Sequence, residues 1–181
     1  MPENETPTIR VAGFDDVEAI THLMTVAIDT LQSGYLTPAQ IAVSHRFMGL
    51  DTQLIRDGTY FVAEIGGRLA GCGGWSYRAT LYGGDASDVA REPAMLDPAR
   101  DPARVRAMYT SPGYTRRGVG RAILQASEQA ARDAGFSATE LMSTMAGLHF
   151  YQTCGYRPVE PVLTEAIDQV SVPFERMRKT L

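Results

Sequence analysis

Hydrophobic and polar positions change period several times along this chain. Residues 8–12, "TIRVA", read as a first strand. "DDVEAITHLMTVAIDTL" then sets Val17, Ile20, Met24, Ala27, Ile28 and Leu31 at the three-and-four spacing of an amphipathic helix. Asp15 followed by Glu18 predicts a capping box at its start, and Gly34 marks its end. Thr37 before Pro38 predicts the N-cap and first position of a second helix. "TYFVAEI" and "RLAGCGGWSY" read as two strands joined by a tight Gly66-Gly67 turn. Glycines 71, 73 and 74 in the second of them predict a bulge or a close backbone approach.

Periodicity is lost over residues 79–103, which are rich in Asp, Pro, Gly and Ala. They form a long insertion with room for one helical turn, and such loops are usually functional or mobile. A solvated loop without a role is the alternative. Order returns with "RVRAMYT", a strand over 104–110, and a helix from about 118 to 134. Ile123, Ala126, Ala130 and Ala134 make its apolar stripe, and Gly135 its stop. "SATELMST" is a strand, "AGLHFYQTC" a short helix closed by Gly155, and "YRPVEPVL" and "VSVPFERMR" are final strands. The order β-α-α-β-β-β-α-β-α-β-β predicts an α/β (α+β) fold, a mixed sheet with helices on its faces.

Composition narrows the function. The 181 residues are 44% hydrophobic and 21% charged, the profile of one globular domain, here expected over 8–181 behind a disordered tail at 1–7. A net charge of −4 gives no general attraction to nucleic acid or anionic membrane. Arg116, Arg117 and Arg121 are therefore a local cluster on an acidic protein, suited to a small anion. Cys72 and Cys154 lie far apart without metal-ligand spacing, so reduced thiols, a cytoplasmic location and no metal are expected. No secretory signal pattern opens the chain, and no apolar run reaches the ~18 residues of a membrane span.

The chemistry concentrates in "YTSPGYTRRGVGRAIL", where a strand, a glycine turn and a helix meet. A helix start offers N–H groups without intrahelical partners and a positive dipole end. Glycines admit close approach and arginines add forked donors, which together describe a phosphate cradle. A Walker A loop needs a Lys after the glycine, which "RRGVGRA" lacks, and a dinucleotide fingerprint needs a third glycine where Ile123 stands. A structural alternative is that Gly118 and Gly120 serve only strand–helix packing.

"MYTSPGYTRRGVGRAIL" resembles motif A of the GNAT superfamily of acyl-CoA-dependent N-acetyltransferases, Gln/Arg-x-x-Gly-x-Gly/Ala after a strand. "HFYQTCGYRP" resembles its later signature, an aromatic-Tyr pair on a short helix followed by Gly and an aromatic residue. The resemblance is specific over 104–158, and the element order extends it to nearly the whole chain. It departs at Thr115, where the family has Gln or Arg, and at Thr144, where an Asn is often seen.

The resemblance implies a mostly antiparallel sheet of six to seven strands with helices on both faces. It implies acetyl-CoA as co-substrate, with pyrophosphate on the N–H groups of Arg116, Arg117, Gly118, Val119, Gly120 and Arg121, and with Thr115 beside them. The pantetheine would pair with the open edge of Met108, Tyr109 and Thr110, and an N–H near Tyr109 would bind the thioester oxygen. Tyr151 falls at the family's general acid. The acceptor, a small-molecule or peptide amine, would lie among Leu31, Tyr35, Trp75 and Tyr77. His149, His22, His45, Glu64 and Glu140 are weaker candidates for a base than a water chain. The implied function is an N-acetyltransferase working by direct attack in a ternary complex, with a homodimer compatible. The alternative is a non-catalytic acyl-CoA-binding or regulatory domain of the same fold.

Overall fold

The computed structural model describes residues 5–87, 92 and 94–181. The first strand, β1 (Thr8–Val11), leads into α1 (Val17–Leu31) through one 3-10 turn. That entry corrects the expected capping box: the carboxylate of Asp16, not Asp15 or Glu18, accepts the Gly13 N–H at 2.8 Å. Gly34 lies in the turn after α1, which already ends at Leu31. The next helix, α2 (Pro38–Ser44), starts as expected, with Thr37 Oγ1 accepting from Gln40 N–H and Pro38 in the first turn. A third helix, α3 (Thr52–Arg56), has no counterpart in the periodicity; Asp51 caps it by accepting from Gln53 N–H at 3.0 Å.

Strands β2 (Tyr60–Ile65) and β3 (Arg68–Ser76) pair across the Gly66-Gly67 turn, where both residues take positive φ. Then come β4 (Ala103–Thr110), α4 (Val119–Asp133), β5 (Ala138–Thr144), α5 (Leu148–Thr153), β6 (Arg157–Leu163) and β7 (Pro173–Thr180). Among the described residues, these seven strands share one sheet in the order β1-β2-β3-β4-β5-β7-β6. Every pairing is antiparallel except β4–β5. α1 packs Ile20, Leu23 and Met24 onto Tyr60, Val62 and Cys72 on one face. α4 packs Val119 and Ile123 onto Ala63 and Ile65 on the other. These placements give the sheet the expected architecture.

The geometry of β3 and β4 departs from a regular ladder in two ways. A Cβ on Gly71 would collide with Val119, and one on Gly73 with Met108 and Ile123, so these glycines let α4 lie close on the strand. Between Cys72 and Gly74 the β3–β4 register slips, which makes a bulge in β4 at Ala107. Ala107 has φ 49°, a left-handed backbone that costs an L-residue about 1–2 kcal/mol. The Tyr60 hydroxyl donates to its carbonyl at 2.7 Å and helps hold it there.

The insertion at 79–103 is tied down on both sides of its undescribed residues, 88–91 and 93. It doubles back through Ala79 N–H to Ala94 O at 2.9 Å and Leu96 N–H to Tyr77 O at 2.8 Å. A turn at 97–101, closed by Asp101 N–H to Asp97 O at 2.7 Å, is the one helical turn for which the insertion had room. Arg106, buried next to the bulge, donates to Thr80 O, to Gly83 O and to the Asp51 carboxylate. Asp85 accepts from Thr52 N–H at 3.2 Å. The start of the insertion is thus nailed to β4 and to the head of α3.

Removing one member of a buried ion pair strands the other charge, which costs ~3–5 kcal/mol. Asp51→Ala, which also uncaps α3, is expected to lose at least that much stability in urea unfolding. A loss under ~1 kcal/mol would mean that Arg106 is compensated without Asp51.

Candidate active site

β4 and β5 pair only through Ala103↔Thr139 and Arg104↔Glu140 and then part. From Val105 onward the β5-facing edge of β4 has no strand partner among the described residues, and a cavity of about 910 Å³ opens in the gap. Its walls run from the turn before α4, past Met108, Tyr109 and Thr110, to the end of α1. Ser111 N–H donates to Ala70 O at 2.9 Å. By the alternation of antiparallel pairing, Tyr109 then turns its N–H toward β3, and Thr110 turns its own toward the cavity side. The open donor expected near Tyr109 therefore belongs to Thr110.

Arg116 (φ 62°) and Gly118 (φ 79°) both adopt left-handed backbone just before α4. This curls the turn so that, among the described residues, no N–H from 116 to 121 has a hydrogen-bond partner. Arg116 and Arg121 line the cavity with Thr115, Gly118, Val119 and Gly120. Arg117 does not: its guanidinium lies over the Tyr114 ring, 5.3 Å from the centroid. Thr115 Oγ1 donates to Pro112 O at 3.2 Å, which engages its one hydroxyl proton. The free N–H groups, the dipole end of a 15-residue helix and two guanidiniums fit a diphosphate.

Gly120 has a packing reason as well: a Cβ there would sit 3.3 Å from the Phe150 ring, so the missing side chain leaves room for α5. Phe150 in turn packs edge-on to Tyr151, with centroids 5.1 Å apart. Tyr151 is buried, lines the cavity and has no hydrogen-bond partner for its hydroxyl among the described residues. Burial, with Cys154 adding to it, pushes its pKa well above the ordinary phenol value. Tyr109 is pushed up as well, by burial and then by Cys72.

The remaining candidates separate clearly. Leu31 and Tyr35 line the far end of the cavity. Trp75 and Tyr77 do not: past the bulge, Trp75 packs with Ala131 and Phe136 below the end of α4, and Tyr77 packs edge-on against it at 5.8 Å. Glu140 is buried against Arg104 and Arg176, and Glu64 holds Arg10, so neither faces the cavity. His45 bonds Asp29 at 2.6 Å, and His22 is exposed on α1. Only His149 reaches the rim, and it is exposed. The far end instead recruits Gln32, Phe47, Met48, Tyr82 and Phe174. Tyr82 comes from the insertion and stacks on Phe174, centroids 6.1 Å apart.

The acetyltransferase (GNAT) family profile matches residues 22–156. The chain belongs to the GNAT acetyltransferase family. No curated protein matches its sequence. Among solved structures it is similar to a GCN5-related N-acetyltransferase from Rhodopseudomonas palustris, with 17% identity, TM-score 0.71 and coverage of 98% of this chain and 97% of that one. PaiA N-acetyltransferase from Thermoplasma acidophilum, solved in complex with coenzyme A, shares 13% identity at TM-score 0.64, covering 98% and 100%. The ribosomal-protein-S18-alanine N-acetyltransferase from Escherichia coli shares 15% identity at TM-score 0.59, covering 97% and 94%. These likenesses show the GNAT fold. Among the described residues no helix is long and apolar enough to cross a membrane, and no cluster could hold a metal.

Gly120→Val would drive a branched side chain into Phe150, and overpacking of this kind costs ~1–3 kcal/mol. The expected result is a lower thermal midpoint that Phe150→Ala partly restores. An unshifted midpoint would mean that α5 yields freely.

Proposed function

We propose that this GNAT protein moves an acetyl group from acetyl-CoA to a primary amine by direct attack in a ternary complex. One observation carries the reading: a single cavity joins the unpaired N–H groups of 116–121, the open edge of β4 and the Tyr151 side chain. Acetyl-CoA supplies an acyl group activated as a thioester. The N–H groups from Arg116 to Arg121 and the Arg116 and Arg121 guanidiniums hold its pyrophosphate. The β4 edge at Met108 and Thr110 accepts the pantetheine amides as an added strand would. The Thr110 N–H lies on the edge where a donor can meet the negative charge that develops on the acyl oxygen.

Tyr151 Oη holds a proton for the departing sulfur. Its raised pKa has two consequences of opposite sign. The proton is fully present at neutral pH, but a less acidic phenol transfers it less readily. Burial against Phe150 and Tyr156 fixes the ring, which favours positioning over acidity.

Tyr151→Phe keeps the ring and removes the proton. Acetyl-CoA affinity, by calorimetry, is expected to stay within a few-fold, while kcat falls by roughly 10²–10⁴. In the parent no loss of rate from phenol ionisation is expected below about pH 10. Free CoA released against a panel of amines is the assay, and it also separates turnover from mere acyl-CoA binding. Parental kcat in Tyr151→Phe would remove the general-acid role.

A further inference from the structure

The acceptor end of the cavity has a definite chemistry. No described residue that lines the cavity is an aspartate or glutamate. Its charged groups are guanidiniums, Arg106, Arg116 and Arg121, and its other titratable groups are tyrosines 35, 82, 109, 114 and 151 and the rim His149. Glu165 acts on the Tyr82 phenol from outside the wall and is exposed. Among the described residues of the wall, an ammonium entering here would find no counterion for the water it sheds and no carboxylate to take its proton.

The rings do not replace that counterion. Tyr82 stacks on Phe174 with 25° between planes, and Phe47 meets Phe174 edge-on at 5.9 Å. They cover each other rather than offering a box of open faces to a cation. They do offer a slab of apolar surface, continued by Leu31, Met48 and Met142.

Gln32 adds a polar point to that slab. It follows α1, is 4% exposed and lines the cavity. Its Nε2 donates to Met48 Sδ at 3.4 Å, a weak acceptor. Its Oε1 is buried and has no partner among the described residues. An unpaired buried acceptor is costly, and a donor on a bound molecule would recover that cost.

We infer that the acceptor is a weakly basic amine on an apolar, ring-bearing body, taken up uncharged, and that Gln32 selects it by accepting a hydrogen bond from it. The inference rests on the acetyl-transfer reading. The neutral nitrogen lone pair forms the C–N bond as the C–S bond breaks. The Tyr151 proton goes to sulfur, and the proton shed by nitrogen returns to the phenol through water. The products are the amide and free thiol, with no other reactant consumed.

The test titrates the CoA-loaded protein calorimetrically with 4-phenylaniline, the strongly basic near-isostere 4-phenylbenzylamine, and 1,4-diaminobutane, between pH 6 and 9. At pH 7 4-phenylaniline is expected to bind at least about tenfold more tightly than 4-phenylbenzylamine, the equivalent of one unit of protonation linkage. The affinity of 4-phenylbenzylamine should rise about tenfold per pH unit as its neutral form appears. The diamine should not bind. Gln32→Leu should weaken 4-phenylaniline by about 3–10-fold, the worth of one hydrogen bond. Gln32→Glu, which brings in a carboxylate, should turn the preference toward 4-phenylbenzylamine. A pH-independent affinity for 4-phenylbenzylamine, binding of the diamine, binding of neither aryl amine, or an unchanged affinity in Gln32→Leu would each overturn the inference. Failure of the parent protein to bind CoA would instead overturn the acetyl-transfer reading beneath it.

Discussion

The site depends on β4 leaving β5 after two paired residues. A parallel pair that continued would spend the edge of β4 on β5 and close the cavity. Three contacts hold β4 in its bent course. The Tyr60 hydroxyl fixes the carbonyl of the bulged Ala107. Arg106 pulls the preceding residue toward Asp51, Thr80 and Gly83. On the far side of the gap, Tyr151 and Phe150 pack in one cluster with Val105 of β4 and Leu141 of β5. A buried cation, a strained alanine and a buried phenol each cost free energy alone. Here the Tyr60 phenol and the Ala107 carbonyl satisfy each other, while Asp51, Thr80 and Gly83 satisfy the cation, and the open edge is what they leave.

The glycines of β3 do the complementary work. Gly71 and Gly73 bring α4 against the sheet, so the helix starts beside the open edge rather than above it. Gly118 and Arg116, both left-handed, then turn the preceding backbone so that its N–H groups stay unpaired. One end of the cavity is thereby polar and positive. The other end, built by α1, the insertion and β7, is apolar. An elongated anion with a reactive tip and an apolar acceptor are the pair of ligands such a gradient accommodates.

Where local chemistry decides, the sequence is readable. Thr37-Pro38, Gly66-Gly67, Gly118 and Gly135 mark turns and caps that the chain adopts. Motif A and the Tyr151 helix point to the cavity because a glycine turn and a short aromatic helix are set by neighbours in sequence. α3 is hard to read because five residues make only about 1.4 turns, too few for a period to repeat; its signal is Asp51 as an N-cap before Thr52. The family resemblance puts Trp75 and Tyr77 at the acceptor end, but they lie past a bulge whose position only pairing reveals, and they pack elsewhere. Gln32, Tyr82 and Phe174 come from three distant segments and meet only in the folded chain. Nothing in their own neighbourhoods distinguishes them from ordinary helix-end, loop and strand residues.

The central claim is that the parted β4 edge and the turn before α4 form one binding surface for acetyl-CoA. Amide hydrogen exchange with and without acetyl-CoA, resolved to single residues, tests it most directly. The amides of Thr110 and of residues 116–121, unpaired among the described residues of the free chain, are predicted to become strongly protected together. The amide of Tyr109, already turned toward β3, should change far less. Protection confined to another surface, or none at 116–121 with acetyl-CoA bound, would contradict that claim.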